Sequence, residues 1–271
     1  LEGRVHIKRE VSFMDIKNIC QNLYATLNLE RKMVGVKFIF TKDHFEKLDI
    51  PKLNSKVTYC YMVKMASNGR EFKANEENFK CLASARALGI ISSNNYIDSG
   101  QHYGKHGLYD SLATAKKVQK DITFINHSIY GIEIRPLENF VEEPDVVVII
   151  TNPYSVMRIV QAYTYKYGVH KNITLGGNQG ICSECTAVPY ENNDINISTL
   201  CSGTRFFCKW DESDMGVGFP FNKLKDIENG ILKTLNPTEP NRKKKEIELK
   251  SKNIENNIDV KYNENYFVNY K

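Results

Sequence analysis

The sequence predicts an α/β protein, with α+β as the variant the same pattern allows, built from two related half-units. Three observations predict it. Short β-branched runs such as Val34 to Phe40 and Val146 to Thr151 alternate with amphipathic segments of helical spacing, as layered strand and helix units do. Two stretches, Tyr59 to Gly89 and Gly180 to Lys209, share one plan: a cysteine opening an apolar helical segment, a polar turn, a short strand, and a second cysteine at a small-residue turn. CLASAR at Cys81 parallels CSGTR at Cys201, and YGIEI at Tyr130 echoes VGVKF at Val34. With 271 residues, 41% of them hydrophobic, the chain can bury one good core. The expectation is a single globular domain over 1–236, with half-units at about 30–92 and 129–210 and an appendage at 237–271. Each half-unit carries a small mixed sheet covered by helices and brings its cysteines to a shared pseudo-twofold interface.

In chain order, Ser12 can cap a helix with Ile16, Ile19, Cys20, Leu23 and Leu27 on one face, where Cys20 reads as packing. Val34 to Phe40 is a strand, and Thr41 starts a helical turn that ends before Pro51. Val57 to Ser67 is a helix stopped by Asn68-Gly69, with Cys60 in its first turns. Glu71 to Asn75 forms a strand, and Cys81 enters an Ala- and Leu-rich helix closed by Gly89. A thiol there meets the positive end of the helix dipole and ionises more easily. Ser92 to Gly107 is a long loop, and Leu108 to Lys120 a helix. Ile129 to Pro136 is a strand, and Pro144 to Thr151 has the unbroken apolar run of a strand buried on both faces, expected to pair partly in parallel. Asn152 caps a helix with Pro153 at its first position, reaching Gly168. Asn172 to Leu175 is a short strand. After Trp210 and an acidic DESDM, Phe219-Pro220 starts a last helix, which Pro237 ends.

Composition excludes several classes. The net charge of +5 is spread out, and the one dense basic run, Arg242 to Lys245, is followed at once by Glu246 and Glu248, so no nucleic-acid footprint is expected. No apolar run approaches the roughly 18 to 20 residues of a membrane span. LEGRVHIKRE lacks a signal peptide's apolar segment, which predicts a cytoplasmic protein. Seven cysteines in such a chain are expected as thiols or metal ligands rather than bridges.

Cys182 and Cys185 form a C-x-x-C, which alone is weak: no second pair stands at zinc-ribbon distance, no C-P run follows, and Pro189 interrupts the helix a thioredoxin-type motif would need. The sharper set is Cys60, Cys81, Cys182 and Cys201. Four thiolates spread singly over four segments supply the ligands of a 4Fe-4S iron–sulfur cluster, with a tetrahedral zinc site as the alternative. Four small buried thiols that simply pack are equally compatible with this spacing. Arg86 and Arg205, at matching places after Cys81 and Cys201, could clamp a carboxylate or phosphate, although ion pairing is their commoner use. His102 and Tyr103 in the long loop could line a substrate site. No acid/base pair, Walker loop or complete dinucleotide fingerprint stands out.

VGVKF, C-x5-A-S-x-G from Cys60, FKCLASARALG, PDVVVIITNP-x3-M-R-I-V-Q-A-Y-T-Y and C-x3-T-A-V-P followed by LCSGTR together resemble the domain-of-unknown-function family numbered 169. The resemblance covers about Leu27 to Leu235 and leaves Cys185 and Cys208 outside its pattern, as second-rank ligands. That family's spread among anaerobic bacteria and archaea, which the resemblance implies, suits an oxygen-sensitive cluster. The function expected is therefore an iron–sulfur protein that carries electrons or senses redox state, working with a redox partner protein. An enzyme, or a small-anion module whose cysteines are structural, stands as the alternative. The aromatic residues between Ile258 and Tyr270 are expected to dock on the domain or across a homodimer.

Overall fold

The computed structural model describes residues 13–254 and 257–263. Helix α1 (Phe13–Leu27) leads to strand β1 (Val34–Ile39), then α2 (Lys42–Lys47), α3 (Tyr59–Ser67), β2 (Phe72–Asn75) and α4 (Leu82–Ala87). Three short helices, α5 (Asn95–Asp98), α6 (Gln101–Lys105) and α7 (Leu112–Asp121), precede β3 (Gly131–Pro136) and β4 (Val146–Thr151). The second half continues through α8 (Pro153–Tyr167), a π-helix (Gly180–Ala187), α9 (Val188–Asn192), β5 (Asn196–Ser198), α10 (Ser202–Cys208) and β6 (Met215–Pro220). It closes with α11 (Leu224–Thr238) and α12 (Asn241–Ser251).

The six strands form one sheet in the order β2-β3-β1-β4-β6-β5. Each half repeats one arrangement, with its first strand central, its last strand next and its middle strand at the edge. The halves are not separate lobes with mixed sheets, because β1 pairs with β4 through Val34↔Val148 and Val36↔Val146 and joins them. Every strand pair is antiparallel, which corrects the expectation of parallel pairing. The strand–helix unit β4-α8 does not return to a parallel neighbour: β5 lies at the far edge against β6, and α8 packs on α11. Gly230 allows that approach, since a Cβ there would stand 2.3 Å from the Ala162 carbonyl oxygen.

Both sheet faces are covered, which is why β4 is apolar throughout. Val146, Val148 and Ile150 join Val36, Phe38, Ile132 and Ile134 beneath α3 and the π-helix. Val147 and Ile149 join Val217 and Phe219 beneath α1, α8 and α11.

Other expectations change in detail. Asn172 to Leu175 forms no strand; Thr174 instead exchanges hydrogen bonds with the side chain of Asn196, at 2.9 and 3.0 Å. The loop from Ser92 holds α5 and α6, started by Asn94, whose side chain accepts from Ile97 N–H at 3.1 Å. Met215–Pro220 is a strand rather than a helix approach, and α11 runs one residue past Pro237. The charged stretch after Pro240 is helical, burying Ile247 and Lys244.

Candidate functional site

The thiols sit at corresponding places in the two halves. Cys60 is in the first turn of α3, ahead of β2, and Cys182 is in the π-helix, ahead of β5; Cys81 and Cys201 are the residues that start α4 and α10. Thr58 begins α3 by accepting from Tyr61 N–H at 3.3 Å, and this fixes where Cys60 points. The π-helix lies directly on β6, because Gly216 and Gly218 alternate on the face it covers. A Cβ at Gly218 would be 1.9 Å from the Cys185 carbonyl oxygen, and one at Gly216 would be 2.5 Å from its sulfur. At Gly180, at the start of that helix, a Cβ would stand 2.8 Å from Leu200 Cα and 3.0 Å from Cys201 N, so only glycine fits there.

Cys60 is the hub. The sulfurs of Cys201 and Cys208 lie close enough to interact with its thiol, and the Thr204 hydroxyl stands 3.1 Å from its sulfur and 3.0 Å from that of Cys201. Cys201 also accepts from the backbone N–H of Thr204 at 3.4 Å and from that of Gly180. The Cys60 thiol and these donors hold the Cys201 thiol down to about 5. Cys208, bonded to Cys60 and to the Thr58 hydroxyl at 3.3 Å, is held down to about 7. Cys60 has one proton to donate and serves one of the two at a time. Hydrogen bonding to both partners, with burial behind it, keeps that proton on Cys60.

Cys182 lies within electrostatic reach of Cys81 and Cys201, and burial followed by those two neighbours pushes its thiol well up. Tyr103 lies within electrostatic range of Cys182, Cys81 and Cys201, and Tyr59 within that of Cys182, Cys60 and Cys185. The Tyr59 hydroxyl lies 3.0 Å from that of Thr186, which donates to the Ile181 carbonyl. Cys185 faces the sheet, its sulfur against Gly216 of β6 and beside Ser198.

The other candidate residues take different places. Arg86 pairs with Asp98 at 3.0 Å and lies over the Phe124 ring. Arg205 donates to the carbonyls of Thr199, Asp211 and Asp214. Both guanidinium groups are thus engaged by the chain itself. His102 touches the rings of Tyr96, Tyr103 and His106, and burial followed by His106 lowers its pKa. It flanks the thiols through Tyr103.

Residues 22–230 match the family DUF169, described as uncharacterised ArCR. The chain belongs to that family. It is also similar to an uncharacterised protein, MJ0308, of Methanocaldococcus jannaschii, 29% identical over 227 residues that cover 80% of this chain and 95% of that protein. No solved structure matches the chain significantly.

Sequence reasoning missed two features of this DUF169 protein. Glu184 is buried inside the π-helix, accepting from Gly176 N–H at 2.6 Å, Gly177 N–H at 3.2 Å and the Ser198 hydroxyl, with its pKa raised by burial. A charged residue between two cysteines in an apolar stretch was its signal. Thr204 was missed because a threonine in CSGTR looks like a turn residue.

Among the described residues, no three His, Cys, Asp or Glu side chains converge closely enough to hold a single metal ion. A zinc ion would need its sulfurs about 2.3 Å from one point. A cubane cluster takes its four thiolates on four different irons, hence more widely spaced. The donor set, single thiols from four segments with Cys182 within electrostatic range of the other three, fits the cluster in number and type.

Proposed function

We propose that this DUF169 protein is an iron–sulfur protein, its 4Fe-4S cluster held by Cys60, Cys81, Cys182 and Cys201, acting in electron transfer or redox sensing. The observation that supports the reading is that Cys182 lies within electrostatic range of Cys60, Cys81 and Cys201, the four thiols coming one from each of four segments. When bound, such a group supplies a one-electron couple. The chain's residues set its surroundings. Thr204 and Gly180 donate to the Cys201 sulfur, and such hydrogen bonds raise a cluster's potential. Tyr59 and Tyr103, both buried, wall off water.

All seven cysteines are free, which fits the reducing cytoplasm of an anaerobe. Among the described residues no helix is long and apolar enough to cross a membrane. Leu82, Phe206 and Phe207, exposed beside Cys81 and Cys201, suit contact with a redox partner protein, and homodimer formation is part of the same reading. The test is anaerobic purification with iron and acid-labile sulfide assays and a visible spectrum. About four irons and four sulfides per chain, lost on Cys182→Ser, are expected. A colourless, iron-free protein overturns the reading.

A further inference from the structure

A four-thiolate set leaves Cys208 over, yet Cys208 is bound into the hub as firmly as the others. Its sulfur contacts the Thr58 hydroxyl at 3.3 Å, and its carbonyl accepts from Lys64 Nζ at 2.6 Å, so α3 grips the end of α10 on either side of Cys60. Cys60 thus lies between Cys208, held against Thr58 two residues before it, and Cys201, with which it shares the Thr204 hydroxyl at 3.1 and 3.0 Å. The three sulfurs are graded in access: Cys201 is partly exposed, while Cys60 and Cys208 are buried.

We propose that Cys201, Cys60 and Cys208 form a thiol–disulfide relay, in which Cys201 takes up a low-molecular-weight disulfide, Cys60 resolves it, and the bridge moves inward to Cys208. The inference stands on the thiol geometry and does not require the iron–sulfur reading. In the first step the Cys201 sulfur attacks the small disulfide, forming a mixed disulfide and releasing one small thiol. Cys60 then attacks the Cys201 sulfur, releasing the second small thiol, which takes the Cys60 proton. Two protein thiols are thereby oxidised by two electrons, and one small disulfide is reduced to two thiols. Last, Cys208 attacks the Cys60 sulfur and frees Cys201 with no net redox change. The product is a buried Cys60–Cys208 bridge and a free Cys201 thiol. The Thr204 hydroxyl, in contact with both sulfurs of the second step, holds them in register for it.

The test uses the full chain, freed of iron with a chelator, exposed to glutathione disulfide, quenched with iodoacetamide and mapped by peptide mass. The wild type is expected to accumulate Cys60–Cys208. Cys208→Ser should stop at Cys60–Cys201, and Cys60→Ser should hold a glutathione adduct on Cys201. Cys201→Ser should form Cys60–Cys208 at least about tenfold more slowly, Cys201 being the attacking thiol. The proposal is overturned if no bridge forms among the three, or if Cys201→Ser bridges at the wild-type rate. It is also overturned if Cys60→Ser shows no Cys201 adduct. Iron and sulfide content of the protein as isolated reports on the cluster separately, so either reading can fail alone.

Discussion

At the scale of single residues, the thiol face depends on what is absent from Gly218. A methyl group there meets the Cys185 carbonyl oxygen at 1.9 Å, backbone against backbone, with no flexible side chain to yield. Gly218→Ala is therefore expected to destabilise the protein by about 3 kcal/mol, read as a shift in the urea midpoint at unchanged slope. Asp145 makes the opposite case. Its carboxylate accepts from Phe38 N–H at 2.6 Å, yet burial, outweighing that bond and the charge of Lys37, raises its pKa. A raised folded-state pKa means that the folded protein holds this proton more tightly than the unfolded chain. The group favours folding below its ordinary carboxylate range and loses that contribution as pH rises through the raised value. Asp145→Asn keeps the acceptor and removes the charge. It should raise the melting temperature at about pH 7, and the gain should shrink as the pH falls toward about 4, checked by melts across that range.

Among the elements, α8 shows how local and long-range terms divide. Its start is local: Asn152 accepts from Ser155 N–H at 3.0 Å and Pro153 follows, so Asn152→Ala should cost about 1 kcal/mol in chemical denaturation. Its position is long-range. Arg158 on α8 is 1% exposed and meets Glu239, 2% exposed, at 2.6 Å, tying α8 to the residue just past α11. Arg158 also donates to Gln161, Thr234 and the Ile231 carbonyl, so its geometry is fixed without help from solvent. Removing the carboxylate strands a buried guanidinium, and Glu239→Ala is expected to cost about 3 kcal/mol, whereas Arg158→Met with Glu239→Leu should recover most of it. A double-mutant cycle in urea measures both. Glu239 lies outside the region matched by the family, at 22–230, so the appendage contributes to the core of this chain.

For the whole molecule, a chain ended at Pro237 loses Glu239, α12 and the segment at 257–263. That segment binds α11 and α12 through Asn236, which bonds Asp259 and Lys261, and through Lys244, whose ammonium reaches the Lys261 carbonyl at 2.6 Å. The shortened chain should melt lower than Glu239→Ala does. An equal melting temperature would show that α12 adds nothing, and sedimentation of both proteins tests homodimer formation. Of the docking expected for Ile258 to Tyr270, residues 264–271 lie outside the described part. What the sequence determined by itself was local. Cys60 in the first turn of α3, the start of α8, the buried run of β4, and Cys81 and Cys201 as the residues opening α4 and α10 all follow from caps, periodicity and small residues within a few positions. The tertiary structure alone decided strand direction, the joining of the halves at β1 and β4, the strand at Met215, and the entry of Cys208 and Thr204 into the hub. Met215 to Pro220, expected to lead into a helix from Phe219-Pro220, is a strand whose glycines supply no side-chain pattern; they are there for the π-helix that lies on them. Spacing along a chain fixes which face a residue shares with its near neighbours, but partners more than a hundred positions apart, as Cys60 and Cys208 are, meet only when the sheet between them has closed.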